Sequence, residues 1–228
     1  MSNGQYEQRE MSGAEMVVQA LKDNGVIHLF GYPGGAIMPV YDALTGSSLK
    51  HILVRHEQGA AFAADAWARS TGKVGVCMAT SGPGATNLIT GIANAMMDSV
   101  PMVCITGNVA QALMGTDAFQ EIDILGVTMP IVKHSWIVRD PADVPAIIEQ
   151  AFEVARSGRP GPVLVDLPKD VQIGLSSDQA HFERETAIPV VNHAAIGLAA
   201  DMITEAARPL LYIGGGVKIA GAVDQVRS

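Results

Sequence analysis

One acidic residue stands out for its setting. Glu57 lies in Arg55-His56-Glu57-Gln58-Gly59-Ala60-Ala61, directly after the apolar run Ile52-Leu53-Val54 and at the start of a helical pattern. A carboxyl group placed there sits at the carboxyl edge of a parallel sheet, where open α/β folds bind their ligands. Two glycine-rich turns, Gly31-Tyr32-Pro33-Gly34-Gly35 and Ser81-Gly82-Pro83-Gly84-Ala85-Thr86-Asn87, follow other apolar runs in the same way. Glycine permits positive φ and lets a ligand approach the backbone. The second turn resembles a phosphate nest at a helix N-terminus. It lacks the last glycine of the dinucleotide fingerprint and has no Walker lysine. Thr86 and Asn87 add groups that suit a neutral heteroaromatic ring. One acid and two glycine turns on one edge describe a small-molecule site.

Each feature also has a plainer reading. Glu57 alone is an acid stabilised at a helix N-terminus by roughly 0.3–1 kcal/mol. The small residues Gly59-Ala60-Ala61 move the reading toward a site, because they let a flat ring or another surface come close. Phe119, in Thr116-Asp117-Ala118-Phe119-Gln120-Glu121, reads either as a partial core plug or as part of a loop that closes over a substrate. Arg159 and Lys169 flank the sixth strand pattern and alone read as surface charges. His56 and His134 have no companions at metal spacing and read as structural histidines. No metal-ligating set emerges.

These residues need a scaffold, and the sequence alternates strand and helix patterns with high regularity. Ser12 and Glu15 form a capping box for a first helix that Gly25 ends. Strands are predicted at 26–30, 52–55, 74–79, 102–106, 132–138 and 163–167. Helices are predicted at 40–44, at 57–70 closed by Gly72, and from the second glycine turn to about Met97. A weaker helical piece spans 120–126. The next helix has Asp140 as cap and Pro141 at its first position. Six strands alternating with helices predict a doubly wound six-stranded parallel sheet with helices on both faces. Residues 174–193 lose this rhythm and read as a linker. A second α/β domain begins after it, with a helix near 194–207, a strand at Leu210–Ile213 and the turn Gly214-Gly215-Gly216.

Composition narrows the function classes. The net charge is −8, and no cluster of Lys and Arg appears, which argues against nucleic acid and anionic membranes as partners. No apolar run reaches membrane-span length, and the polar start, Met1 to Glu10, has no apolar signal core. The expectation is a cytoplasmic protein. Its two cysteines, Cys77 and Cys104, each sit in an apolar strand run and read as buried reduced thiols.

Together the runs carry a family resemblance. They are Gly31 to Tyr41, Arg55 to Gly59, Ala79 to Asn87, Gly115-Thr116-Asp117-Ala118-Phe119-Gln120-Glu121, and Ser157-Gly158-Arg159-Pro160-Gly161-Pro162 on to Lys169. They closely resemble the catalytic subunits of acetohydroxyacid (acetolactate) synthases, thiamine-diphosphate enzymes of branched-chain amino-acid synthesis. The His-Glu-Gln-Gly run and the Gly-Pro-Gly turn belong to the wider thiamine enzyme superfamily. The runs around Phe119 and Arg159 are much more specific.

The resemblance implies a pyrimidine-binding domain at 12–173, a linker at 174–193, and the start of an FAD-contacting middle domain at 194–228. It implies that Glu57 hydrogen-bonds to N1′ of the cofactor aminopyrimidine and promotes the imino tautomer that deprotonates thiazolium C2. Tyr32, Pro33, Gly34, Thr80, Pro83 and Asn87 are expected at the pyrimidine. Gly35 and Gln120 are expected near the reacting carbon. Ala36, Phe119 and Lys169 are expected on the substrate side, and Arg159 at a structural FAD. The implied reaction decarboxylates pyruvate and joins the product to a second 2-ketoacid. The implied assembly is a homodimer or homotetramer with the site between subunits, and a small regulatory subunit. The diphosphate and Mg²⁺ motif, Gly-Asp-Gly followed by Asn, does not occur in these 228 residues. The chain is therefore expected to be part of a longer protein and inactive alone. Related readings are another thiamine-dependent decarboxylase or oxidase, and a catalytically silent fragment.

Overall fold

The computed structural model describes residues 10–183 and 191–228. The chain divides into two compact units, Met1–Glu183 and Arg184–Ser228. The polar start read from the sequence lies, at 1–9, outside the described residues, as does the part of the linker at 184–190.

In the first unit the order is β1 (Met11–Ser12), α1 (Gly13–Asp23), β2 (His28–Gly31), α2 (Met38–Leu44), β3 (Lys50–Leu53), α3 (Glu57–Thr71), β4 (Gly75–Ala79), α4 (Pro83–Thr86) and α5 (Ile89–Met97). There follow β5 (Met102–Asn108), α6 (Ile124–Thr128), β6 (Ser135–Ile137), α7 (Val144–Arg156), β7 (Pro162–Pro168), α8 (Lys169–Ile173) and β8 (Leu175–Ser176). Six strands form one parallel sheet in the order β3-β2-β4-β5-β7-β6. The doubly wound sheet expected from the sequence is present. The chain steps from β2 to β3 on one side and then to β4 on the other. This reversal opens a crevice outside the carboxyl ends of β2 and β4. Both glycine turns and Glu57 leave the sheet there.

Strands β4, β5 and β7 are buried throughout, as central parallel strands covered on both faces must be. Their side chains alternate between two cores. Val76, Met78, Val103, Ile105, Val163 and Val165 face α1, α2 and α7. Cys77, Ala79, Cys104 and Leu164 face α3 and α5. Alanine is the commonest residue of the second core, and α3 enters it through Ala60, Ala61, Ala64 and Ala68, so its helices come close. Gly91 in α5 has no room for a side chain, since a Cβ would overlap the Ala61 methyl and stand 3.2 Å from the Ala61 carbonyl carbon. Cys77 and Cys104 are register partners on adjacent strands. Their Sγ atoms are 3.5 Å apart, and both are free and buried.

Local chemistry sets the helix ends. Ser12 and Glu15 make the expected capping box, with Glu15 N–H donating to Ser12 Oγ at 3.2 Å and Ser12 N–H to Glu15 Oε2 at 2.8 Å. Gly72 ends α3 in the left-handed conformation, φ +71°.

Several expectations shift. The helix expected after the second glycine turn is two helices, interrupted at 87–88, where the Asn87 amide turns toward Glu57. The piece expected at 120–126 starts later, at Ile124, because the Asp123 carboxylate caps it by accepting from Gly126 N–H at 2.9 Å. The strand expected at 132–138 is only Ser135–Ile137, the edge strand beside β7. The β1–β8 ribbon, at two residues a strand, was too short to read as a pattern. Residues 174–183 stay with the first unit through that ribbon and through Ala180 N–H to Ala142 O, 2.8 Å.

In the second unit the described elements are α9 (His193–Glu205), α10 (Gly216–Ile219) and α11 (Val223–Arg227). Asn192 caps α9 by accepting from Ala195 N–H at 3.0 Å. The strand expected at Leu210–Ile213 is not formed. A strand exists only when its backbone groups pair, and no described residue pairs with this run. Among the described residues no helix is long and apolar enough to cross a membrane.

The close α3–α5 approach yields a stability test by urea unfolding. Gly91→Ala should destabilise the chain by about 1–3 kcal/mol through overpacking. Gly59→Ala, on α3 with open space around it, should be neutral or stabilising by up to about 1 kcal/mol. Equal midpoints for the two variants would contradict the packing described.

Candidate functional site

Glu57 is the first residue of α3 and is 9% exposed. The His56 side chain caps the helix, its Nδ1 accepting from Gln58 N–H at 3.1 Å. His56 is thus the structural histidine the sequence indicated. Asn87 Nδ2 donates to Glu57 Oε2 at 2.9 Å. Among the described residues no hydrogen bond reaches Oε1. One oxygen is held and the other is open to a ligand. That arrangement fits a carboxyl group meant to exchange a proton with a ring nitrogen.

The glycine turns form the walls. A Cβ on Gly84 would stand 2.7 Å from Thr80 Cγ2 and 3.3 Å from Glu57 Oε1. A Cβ on Gly34 would stand 2.5 Å from Thr80 Cβ. Only glycine lets these two turns close around the Thr80 side chain, whose Oγ1 accepts from Ala36 N–H at 3.2 Å. Gly82 adopts φ +55°, ψ −117°, which side chains avoid, and its Cα faces the Gln120 backbone. The first turn is backed by Tyr41 and His51, whose rings meet edge to face at 4.9 Å. His51 Nε2 lies 3.3 Å from Gly31 O, and burial pushes the His51 pKa down.

The segment from Gly115 to Glu121 is a constrained loop. Gly115, Asp117 and Gln120 all have positive φ. The Glu121 carboxylate ties the loop together, accepting from Gly115 N–H and, at 3.2 Å, from Ala118 N–H. Phe119 is left 87% exposed. It is therefore not a core plug.

The structure therefore brings Glu57, Asn87, Thr80, Gly34, Ala36 and Gln120 to one place. Tyr32, Pro33, Gly35 and Pro83 lie exposed on the same two turns. Lys169 is exposed at the start of α8, after the carboxyl end of β7. Arg159 lies apart. It precedes the amino end of β7, at the opposite edge of the sheet. Its guanidinium donates to Ser99 Oγ at 2.7 Å and to the carbonyls of Met96 and Met97 at 3.1 and 3.0 Å, closing the end of α5. His134 packs edge-on against Trp136.

Sequence reasoning missed the polar floor beneath the turns. Asp166 in β7 is fully buried and accepts from Thr106 Oγ1 at 2.6 Å and Asn108 Nδ2 at 2.5 Å. A strand-interior Asp flanked by Val165 and Leu167 was the available signal, since a buried carboxylate needs partners.

The family model described as "Thiamine pyrophosphate enzyme, N-terminal TPP binding domain" matches residues 11–127. The chain belongs to this family. The TPP-binding match covers both glycine turns, Glu57 and the loop around Phe119. The chain is 57% identical over 231 residues to the acetolactate synthase large subunit of Parasynechococcus marenigrum, covering 95% of this chain and 37% of that protein. It is 54% identical over 220 residues to the acetolactate synthase isozyme 2 large subunit of Escherichia coli, covering 95% and 40%. It is 50% identical over 228 residues to an acetolactate synthase of Mycobacterium bovis, covering 96% and 36%. The chain spans about two fifths of the length of these relatives.

The floor carries a pH signature. Burial pushes the Asp166 carboxyl up to about 6 from its ordinary 3.8, against the hydrogen bonds from Thr106 and Asn108, with the Asp123 charge adding to the rise. Between those values the folded chain keeps a proton that the unfolded chain has lost. Stability should therefore fall as pH rises from about 4 through about 6, by on the order of 2–3 kcal/mol, and then level off. In Asp166→Asn this fall should disappear. Parallel stability–pH curves for the parent and the variant would contradict the assignment.

Proposed function

We propose that this chain is the pyrimidine-binding part of an acetolactate synthase catalytic subunit, and that Glu57 is its proton-handling carboxyl group. The observation that carries the reading is the pairing of Asn87 with one Glu57 oxygen while the other has no hydrogen-bond partner among the described residues, beside Gly34 and Gly84, neither of which has room for a Cβ. The names of the relatives above support the choice of reaction.

When bound, thiamine diphosphate supplies the electron sink for decarboxylating a 2-ketoacid. The residues of this chain do the rest of the work on this side. Glu57 Oε1 holds or gives a proton at the ring nitrogen it faces. Asn87 keeps the carboxyl plane fixed so that no reorientation is needed during the reaction. Thr80, Gly34 and Gly84 form a narrow slot suited to a flat ring, edged by Tyr32, Pro33 and Pro83. Gly35, Ala36, Gln120 and Phe119 would line the side from which pyruvate and a second 2-ketoacid enter, with Lys169 at the mouth.

On this reading residues 12–173 are the pyrimidine-binding domain, 174–193 the linker and 194–228 the start of an FAD-contacting domain. The protein would be a cytoplasmic homodimer or homotetramer with its site between subunits, served by a small regulatory subunit. Among the described residues no group of three or more His, Cys, Asp and Glu side chains could hold a metal. Mg²⁺ would be bound elsewhere in the assembly. FAD would meet Arg159 only at the far edge of the sheet, where the guanidinium already closes α5.

The test is product analysis with pyruvate, thiamine diphosphate, Mg²⁺ and FAD, on full-length protein carrying this segment. Acetolactate is the expected product. Asn87→Ala should lower kcat roughly tenfold or more by freeing the carboxyl group, a loss typical of removing a support behind a catalytic group. Aldehyde or acetyl phosphate in place of acetolactate would assign the chain to a related decarboxylase or oxidase instead.

A further inference from the structure

The peptide of Ala36 is held from three sides. Its N–H donates to Thr80 Oγ1 at 3.2 Å. Its carbonyl accepts from Gln172 Nε2 at 2.7 Å. Gly107 lies beneath it, and a Cβ there would stand 2.6 Å from the Ala36 carbonyl carbon. Gln172 is 1% exposed, in the short helix α8. The same Nε2 donates to Leu167 O at 2.7 Å. Both hydrogens of the amide are thus used on backbone carbonyls, one in the turn after β2 and one at the end of β7. These two acceptors fix which end of the amide is nitrogen, because an oxygen there would face two others. Oε1 is then left buried with no partner.

This pattern separates positioning from packing. An orphaned buried acceptor is a cost that a methionine of similar length would not carry. What the amide adds is a fixed link across the sheet, from β7 over β5 to the glycine turn. We propose that Gln172 is a positioning residue of the site. Its amide sets Gly34-Gly35-Ala36 against Thr80 and, through Thr80, against Gly84 and Glu57. The clamp itself is a property of this fold; that it serves acetolactate chemistry rests on the function proposed above. Gln172 acts only through the turn it holds.

Gln172→Met keeps the length and burial and removes both donors. Amide hydrogen exchange on the 228-residue chain tests the clamp. Exchange at the hydrogen-bonded amides of Ala36 and Ile37 should rise at least about tenfold while β4 and β5 stay unchanged, the mark of local rather than global opening. No change at these amides would overturn the proposal. Uniform acceleration would also overturn it, making Gln172 an ordinary stability residue. In the full-length holoenzyme the variant should lower kcat about tenfold with KM for pyruvate nearly unchanged, and an unchanged kcat would overturn the positioning role. A parent protein that makes no acetolactate would count against the proposed function, and the exchange result would still decide the clamp.

Discussion

The hydrogen bond from Asn87 to Glu57 is the contact from which the site takes its geometry. A carboxyl group buried to this degree needs a donor. The donor sits between α4 and α5, while the acid opens α3. Their separation is therefore fixed by how closely α3 and α5 pack. That closeness depends on Ala61 meeting Gly91, and on the small residues Ala60, Ala61, Ala64 and Ala68 along the buried side of α3. Replacing any of these small residues would reach the chemistry through the helix spacing.

A second constraint is backbone strain held in place by local polar contacts. Asp117 and Gln120 adopt left-handed conformations that cost energy for residues with a Cβ. They are offset by the Glu121 carboxylate inside its own loop and by the close fit of Gly82 against Gln120. The outcome is an exposed Phe119 on a loop that is not free to collapse onto the core. Asp166, with Thr106 and Asn108, supplies the rigid floor at the carboxyl ends of β5 and β7.

Much of this was legible from the residues. The apolar runs and their spacing predict six parallel strands, and all six occur, because central parallel strands leave a continuous hydrophobic signal. That Glu57 and the two glycine turns share one edge of the sheet was readable because each directly follows a strand pattern. Other features were not. Gln172 and Asp166 act through contacts 136 and 58–60 residues away in sequence, which no local pattern encodes. Whether the Phe119 ring is buried was left open because a lone aromatic carries no periodicity. The run Leu210–Ile213 has strand composition, but composition cannot supply a pairing partner. Arg159 is placed at FAD by the resemblance alone; within this chain its contacts close the end of α5 at the far edge.

The most direct measurement is hydrogen–deuterium exchange at C2 of thiamine diphosphate bound to the full-length holoenzyme, comparing Glu57 with Glu57→Gln. The account predicts a rate lower by roughly 10²–10⁴-fold in the variant, the usual contribution of a positioned acid–base group, with cofactor binding retained. An unchanged exchange rate with cofactor bound would contradict the role assigned to Glu57 and, with it, the function proposed for the site.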